Sequence, residues 1–344
     1  MGVLKMQATI LPGYDPKRKK LAEIIPLPAP FTLFITPAQV CNFRCFYCTQ
    51  HKSGDEKKKI GFASQLLDYN VFLKIAHQAA DFPEKFKRVL LTGLGEPLMN
   101  PRIPDMVATL RHLDVAEKYE IFTNAYKLNH EMSDRLLAAG LTRLRISIQG
   151  LSSEKYKEVC GVDIDFNRLL NNIRYFYEHK GDCTVYVKII DAGLIDKQDE
   201  ERFYAMFGDM CDEIYVEHLV KAQPSMGDYS DLADNFLTFY GEKSQFRDVC
   251  PYMFYTLQTD ALGNVFPCPP LGLPLSFSLG NITETTLMEI WNGEKLRELR
   301  ISHLKKNRDK VPVCRTCEHY MCFTPEEDNL DNDTGKLIEK IRSG

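Results

Sequence analysis

Three thiols, Cys41, Cys45 and Cys48, fall within the eight-residue run Cys41-Asn42-Phe43-Arg44-Cys45-Phe46-Tyr47-Cys48, so all three can reach one metal centre. Three cysteines are one ligand short of a closed site, whether a zinc tetrahedron or a four-cysteine iron–sulfur cluster. A metal with an open position is a place for chemistry. His51 could complete a Cys3His zinc site, although structural zinc sites usually pair two C-x2-C knuckles rather than use an uneven triplet. A second set comprises Cys250, Cys268 and the Cys314-Arg315-Thr316-Cys317 knuckle, four soft ligands that suit either zinc or a cluster. Cys160, Cys183 and Cys211 stand singly and read as small buried hydrophobes. Cys322 lies alone just beyond the knuckle.

Such residues need a scaffold, and from Phe31 onward β-rich runs alternate with helix-period runs. Strands are expected at Phe31–Ile35, Arg88–Thr92, Tyr119–Thr123, Leu144–Ile148, Thr184–Ile190 and Ile214–Glu217. Between them, apolar stripes such as Val71, Phe72, Ile75, Ala76 and Ala79, or Phe166, Leu169, Leu170, Ile173 and Phe176, mark helices. This alternation implies a parallel sheet with right-handed crossovers, which gathers functional residues on the loops after its strands. The cysteine triplet follows the first strand, Gly93-Leu94-Gly95-Glu96-Pro97 the second, Thr123-Asn124 the third and Ser147-Ile148-Gln149-Gly150 the fourth. Residues 31–217 are too few for the roughly 250 of an eight-unit barrel, so the expected fold is α/β, a partial (β/α)6 TIM-like barrel.

The remaining segments divide by composition. Residues 1–30 read as an extended arm across the barrel's surface, and 218–249, with Pro224-Ser225-Met226-Gly227-Asp228, as a connector. Residues 250–323 read as a small α+β domain, with a hairpin of Thr256–Asp260 and Val265–Pro267 and one helix at Leu287–Arg300. The tail, 324–344, is acidic and expected to be mobile until a short last helix. With 44% hydrophobic residues the chain can bury a sizeable core, and a net charge of −4 without a long basic stripe speaks against nucleic acid. No apolar run reaches membrane-spanning length and no signal sequence opens the chain, which points to the cytoplasm, where cysteines ligate metals rather than form disulfides.

A Cys-x3-Cys-x2-Cys triplet after the first strand of a partial parallel barrel resembles the signature of the radical S-adenosylmethionine (SAM) superfamily, from Phe31 to about Glu217. The resemblance implies a [4Fe–4S] cluster held by Cys41, Cys45 and Cys48, whose fourth iron chelates the amino and carboxylate groups of SAM. Reductive cleavage of SAM then gives a 5′-deoxyadenosyl radical that abstracts a substrate hydrogen. Leu94-Gly95-Glu96-Pro97 is similar to the family's Gly-Gly-Glu-Pro motif, placing Gly95 and Glu96 at the methionyl amino group; Leu94 departs from the first glycine. Asn124 and Ser147 stand at positions that bind the ribose and carboxylate of SAM, and Tyr47 at one near adenine. Gln149 replaces a common acid.

Residues 250–323 resemble the SPASM/twitch domain of the same superfamily through Cys250, Gly263-Asn264-Val265-Phe266-Pro267-Cys268 and the Cys314/Cys317 knuckle. This implies one auxiliary [4Fe–4S] cluster on those four cysteines. An electron donor of the flavodoxin or ferredoxin type is implied as well. The expected activity is that of a radical SAM oxidoreductase, removing two electrons from a small polyhydroxylated molecule such as a sugar, cyclitol or nucleotide. The alternatives are a maturase that crosslinks or epimerises a ribosomally made peptide, a non-redox sugar epimerase or dehydratase, and a metal-binding scaffold without activity. Some 30 residues before the barrel are too few for the leader-recognition domain of many peptide maturases, which favours a small substrate. Glu217, His218 and Lys188 are expected near the barrel mouth, with Glu217, His218 and Cys322 as candidate catalytic residues.

Overall fold

The computed structural model describes residues 7–15, 17–59, 62, 64–220, 237–323 and 325–343. Six parallel strands appear where the alternation predicts them: β2 (Thr32–Ile35), β3 (Phe86–Leu91), β4 (Ala116–Thr123), β5 (Arg143–Ile148), β6 (Thr184–Ile190) and β7 (Glu213–Glu217). Five of the helices that follow these strands begin at side-chain caps, with Asp68, Asn129, Ser152, Asp165 and Asp196 each accepting from a backbone N–H of the first turn, whereas Ile103–His112 starts with a proline in its first turn. This is the expected α/β partial barrel.

The N-terminal arm differs from expectation. Thr9–Ile10 forms β1, pairing parallel with β7, and the following residues turn inward rather than across the outer surface. There the Gly13 carbonyl accepts from Arg145 Nη1 at 2.5 Å. A Cβ at Gly13 would meet Arg145 Nη1 and Tyr186 Cζ at 2.9 Å, so only glycine allows this approach.

Three further strands, β8 (Thr256–Thr259), β9 (Asn264–Phe266) and β10 (Gly280–Asn281), extend the same sheet. Its order is β1-β7-β6-β5-β4-β3-β2-β8-β9-β10, with β8 parallel to β2 and the last two strands antiparallel. The single helix expected at Leu287–Arg300 is instead two, Leu287–Asn292 and Glu294–Leu304, because Gly293 is extended and interrupts the helical backbone. The acidic tail is packed, not loose: Asp328 and Leu330 are buried, Arg18 pairs with Asp328, and the helix Thr334–Ser343 buries Leu337 and Ile341. The connector stretch Pro224–Asp228 lies outside the described residues. Among the described residues no helix is long and apolar enough to cross a membrane.

The strand register separates two faces. Val89, Ile121, Leu144, Ile146, Val187 and Ile214 are fully buried on one face, beneath the helices. On the other lie Phe34, Arg88, Glu120, Phe122, Arg145, Ser147, Tyr186, Lys188, Tyr215 and Glu217, which line the barrel interior.

Candidate functional site

The cysteine triplet sits on the loop after β2, with Cys45 buried and Cys41 and Cys48 half-buried. The loop is fastened to the end of the helix Ser153–Cys160: Arg44 N–H donates to the Cys160 carbonyl at 2.9 Å and Phe46 N–H to that of Val159 at 3.0 Å. Phe43 anchors it by packing on Tyr126 and Tyr156. The Cys160 thiol, read from sequence as a plain core residue, lies 3.5 Å from the Cys45 sulfur. Burial pushes the Cys48 thiol up to about 11 and also raises Cys41, while Cys160, then burial, raises Cys45. A metal centre replaces the protons these thiols would otherwise keep. His51 is exposed, with its Nδ1 3.3 Å from the Arg44 carbonyl, and among the described residues it joins no group of three His, Cys, Asp or Glu placed to hold a metal ion.

Two glycines let the next loop reach the triplet. A Cβ at Gly95 would overlap the carbonyl oxygens of Val40 and Ala38, and one at Gly93 would overlap the Thr36 side chain. Glu96 N–H donates to the Val40 carbonyl at 2.9 Å, tying the loops together. The Glu96 carboxylate is buried. Oε1 accepts from Leu98 N–H at 2.9 Å and Thr123 Oγ1 at 2.6 Å, and Oε2 from Asn124 N–H at 2.8 Å, leaving Oε2 room for one further donor. Burial, only partly offset by these donors, lifts its pKa to about 7.

The other SAM candidates gather nearby. Asn124 Nδ2 lies 3.0 Å from Asn42 Oδ1 and 3.9 Å from the Cys41 sulfur. The Tyr47 hydroxyl donates to Gln149 Oε1, so the residue in place of the common acid holds Tyr47. Ser147 is half-buried on β5, beside Lys188 in register.

The inner face of the sheet carries a buried ion pair. Arg145 Nε meets Glu120 Oε2 at 2.8 Å, with side chains only 7% and 1% exposed. Burial pushes Glu120 up, but Arg145, Arg88 and Arg143 outweigh it and hold the carboxyl below its usual range. On the same face, Phe122, Ser147, Lys188 and Tyr215 are half-buried. Lys188 Nζ donates to Glu217 Oε2, and the Tyr186 hydroxyl lies 3.4 Å from Glu217 Oε1. At the rim, His218 Nδ1 is 2.9 Å from Asp191 Oδ2, while Asp191 Oδ1 accepts from Ala192 N–H at 2.8 Å and Leu219 N–H at 2.9 Å. Gly241, at φ +80°, leaves space for His218 Nε2, which a Cβ there would meet at 2.9 Å. Cys322 is linked to His218 through the backbone of Phe239, whose carbonyl accepts from His218 N–H and whose N–H donates to the Cys322 carbonyl, each at 2.9 Å; its thiol is buried with Val220, 3.7 Å from the Glu318 carbonyl.

Cys250, Cys268, Cys314 and Cys317 all line one cavity, with Tyr252, Met253, Leu273, Phe277, His303 and Arg308 among its other walls. Burial raises all four thiols, Cys314 to about 12. Among the described residues no three His, Cys, Asp or Glu side chains are grouped to hold a single metal ion, and at the second site the four cysteines line a common space. Such a donor set, soft and entirely sulfur at the second site, fits an iron–sulfur cluster. Cys250 precedes β8 and Cys268 follows the antiparallel β9, whereas the triplet follows the opposite end of β2, the parallel neighbour of β8. Four residues of β8 span about 13 Å, so the two sets lie toward opposite ends of the paired strands.

Sequence reasoning missed the Arg145–Glu120 pair, Asp191, His303 and Arg308. A signal for the first was present: Glu120, Arg143 and Arg145 are charged residues at alternate positions of strands otherwise covered on both sides.

Comparison with known proteins agrees with this geometry. The Radical SAM superfamily matches residues 35–203, and the Iron-sulfur cluster-binding domain named SPASM matches residues 250–318. Over 121 residues the chain is 34% identical to the GTP 3′,8-cyclase of a Picosynechococcus species, covering 35% of each chain. Over 142 residues it is 33% identical to the probable GTP 3′,8-cyclase of Metallosphaera sedula, covering 41% of each. These matches span about two-fifths or less of the relatives' length. Among solved structures, SuiB of Streptococcus suis bound to its precursor peptide SuiA superposes with a TM-score of 0.59 at 16% identity, over 88% of this chain and 73% of that one. anSMEcpe with bound AdoMet gives 0.58 at 16% identity, over 91% and 100%. BtrN in complex with AdoMet and 2-DOIA gives 0.50 at 17%, over 83% and 92%. At these identities the structural likeness establishes the fold alone. With its barrel, cysteine triplet and four-cysteine cavity, the chain belongs to the radical SAM superfamily and carries a C-terminal SPASM iron–sulfur domain, with SAM and two clusters as its cofactors.

Proposed function

We propose that this enzyme removes two electrons from a small polyhydroxylated molecule, a sugar, cyclitol or nucleotide-like compound, converting an alcohol to a ketone. The observation that carries this reading is the inner face of the sheet, where Lys188, Glu217 and Ser147 place a cation, a carboxylate and a hydroxyl on neighbouring strands, Lys188 donating to Glu217. When bound, SAM and the first cluster supply a 5′-deoxyadenosyl radical that takes a hydrogen atom, and the second cluster supplies a one-electron acceptor.

The chain's own groups bind and move the proton. Lys188 donates to, and Glu217 accepts from, adjacent hydroxyls of a substrate that needs both signs. His218 is oriented through Nδ1 by Asp191, itself fixed by two backbone N–H groups, leaving Nε2 as the proton acceptor. The balance is one hydrogen atom from carbon, one proton from the hydroxyl to His218 and one electron to the acceptor.

Anaerobically reconstituted enzyme incubated with SAM, dithionite and a panel of polyols tests the proposal. Expected are 5′-deoxyadenosine and a product two hydrogens lighter, in equal amounts. If 5′-deoxyadenosine forms without that mass change, the reaction is epimerisation or elimination. The curated relatives named GTP 3′,8-cyclase favour a second reading, rearrangement of a nucleotide to a cyclic product. A product of unchanged mass from GTP, with no oxidation of polyols, would establish it.

A further inference from the structure

Two walls of the four-cysteine cavity carry donors with nothing to donate to. His303, on the helix Glu294–Leu304, is fully buried and lines the cavity. Its Nδ1 accepts from Cys250 N–H at 3.4 Å, which places the ring proton on Nε2. That Nε2–H is buried and has no partner. Arg308 lines the same cavity with its guanidinium 4.1 Å from the Tyr320 ring centroid and Nη2 3.5 Å from the Cys317 carbonyl. Its Nη1 is likewise buried without a partner, and among the described residues no carboxylate pairs with it.

Leaving a buried donor unbonded is costly, and more so when the donor is charged. Two such donors at one cavity therefore point to an acceptor within it, and an anionic one, because Arg308, half-buried against the Phe246 and Tyr320 rings, brings a charge that no carboxylate among the described residues pairs with. Cluster sulfurs, both thiolate and inorganic, are acceptors of that kind. A donor aimed at them stabilises the more negative, reduced cluster and so raises its potential.

We propose that His303 Nε2 and Arg308 Nη1 donate hydrogen bonds to the sulfurs of the cluster held by Cys250, Cys268, Cys314 and Cys317, and so bias it toward accepting an electron. This deepens the oxidative reading above, since an oxidation of substrate needs an acceptor rather than a source of electrons. Both are tuning residues; neither touches substrate.

The test is an EPR-monitored redox titration of the reconstituted holoenzyme, with the SAM-binding cluster as internal reference. H303L and R308M each keep their iron and shift the reduction of the auxiliary cluster at fixed potential by roughly tenfold toward the oxidised form, the size of one charge-assisted hydrogen bond. H303Q and R308K, which keep an N–H donor, recover part of that shift. Exchange into D2O removes proton couplings to the reduced cluster in the unaltered enzyme, and one fewer of them in H303L and in R308M. Unaltered potentials in iron-replete H303L and R308M overturn the proposal. So does zinc in place of iron at this site, or loss of iron from all four variants, which would make these residues structural. Absence of polyol oxidation alongside the predicted shifts would sink the proposed reaction and leave this inference standing.

Discussion

Cys41, Cys45 and Cys48 differ from the later four cysteines in what the chain puts beside them. The triplet lies beside Asn124 and next to the Glu96 loop, where polar groups are at hand, whereas the four-cysteine cavity is walled largely by apolar and aromatic side chains. Alanine at Cys41, Cys45 or Cys48 is expected to abolish 5′-deoxyadenosine release. C314A is expected to retain uncoupled release while losing product, as judged by chromatography of both species. Glu96 adds a pH signature. Its folded pKa of about 7 lies above the usual 4.5, so its contribution to stability is full below pH 4.5 and is lost as pH rises through 7. SAM binding at this carboxylate would run the other way, because the ionised form accepts from the ammonium of SAM more strongly than the neutral acid does. Between pH 6 and pH 8 the affinity advantage of the unaltered enzyme over E96Q should grow by about tenfold, measured by calorimetry; parallel profiles would remove Glu96 from the SAM site.

At the scale of elements, the loops hold their shape because small residues let backbones touch. Gly95 cannot carry a side chain without displacing the Ala38 and Val40 carbonyls, which lead directly into the triplet. G95A should therefore cost about 1–3 kcal/mol in thermal unfolding and lower iron at the first site while the four-cysteine site stays loaded. Iron equally retained at both sites would show that the cysteine loop does not depend on this packing. The strand–helix alternation and the motif positions were legible in the sequence because local periodicity, caps and glycines determine them. Less legible was anything decided by distant pairing. The inward turn at Gly13 depends on Arg145 and Tyr186, more than 130 positions away. The break at Gly293 was missed because the apolar spacing continues through it, and the docking of the acidic tail because it rests on the Arg18–Asp328 pair. His303 gave no signal at all, since a lone histidine in a helix looks the same whether or not a cavity lies beside it.

Across the whole molecule, the same hydrogen-bonded sheet carries both cysteine sets. β8 pairs with β2 at Thr32–Thr256 through Ile35–Thr259, so the C-terminal segment covers what would otherwise be an exposed edge of the barrel. β2 is the strand that leads into the triplet, and Leu33, Ile35 and Leu257 are fully buried at this junction. An unpaired edge of that kind invites association with other chains. We therefore expect residues 7–219 expressed alone to aggregate, or to remain soluble only with poor iron retention, although all three first-site cysteines and Glu96 are present. The measurement is size-exclusion chromatography with iron analysis after anaerobic reconstitution. A monomeric fragment that loads one cluster and cleaves SAM would show that the barrel folds without its C-terminal partner, and the boundary drawn at 218–249 would then separate independent units. If the fragment aggregates while C314A of the full chain stays monomeric, the requirement is for the β8 pairing itself and not for the metal that the later cysteines hold.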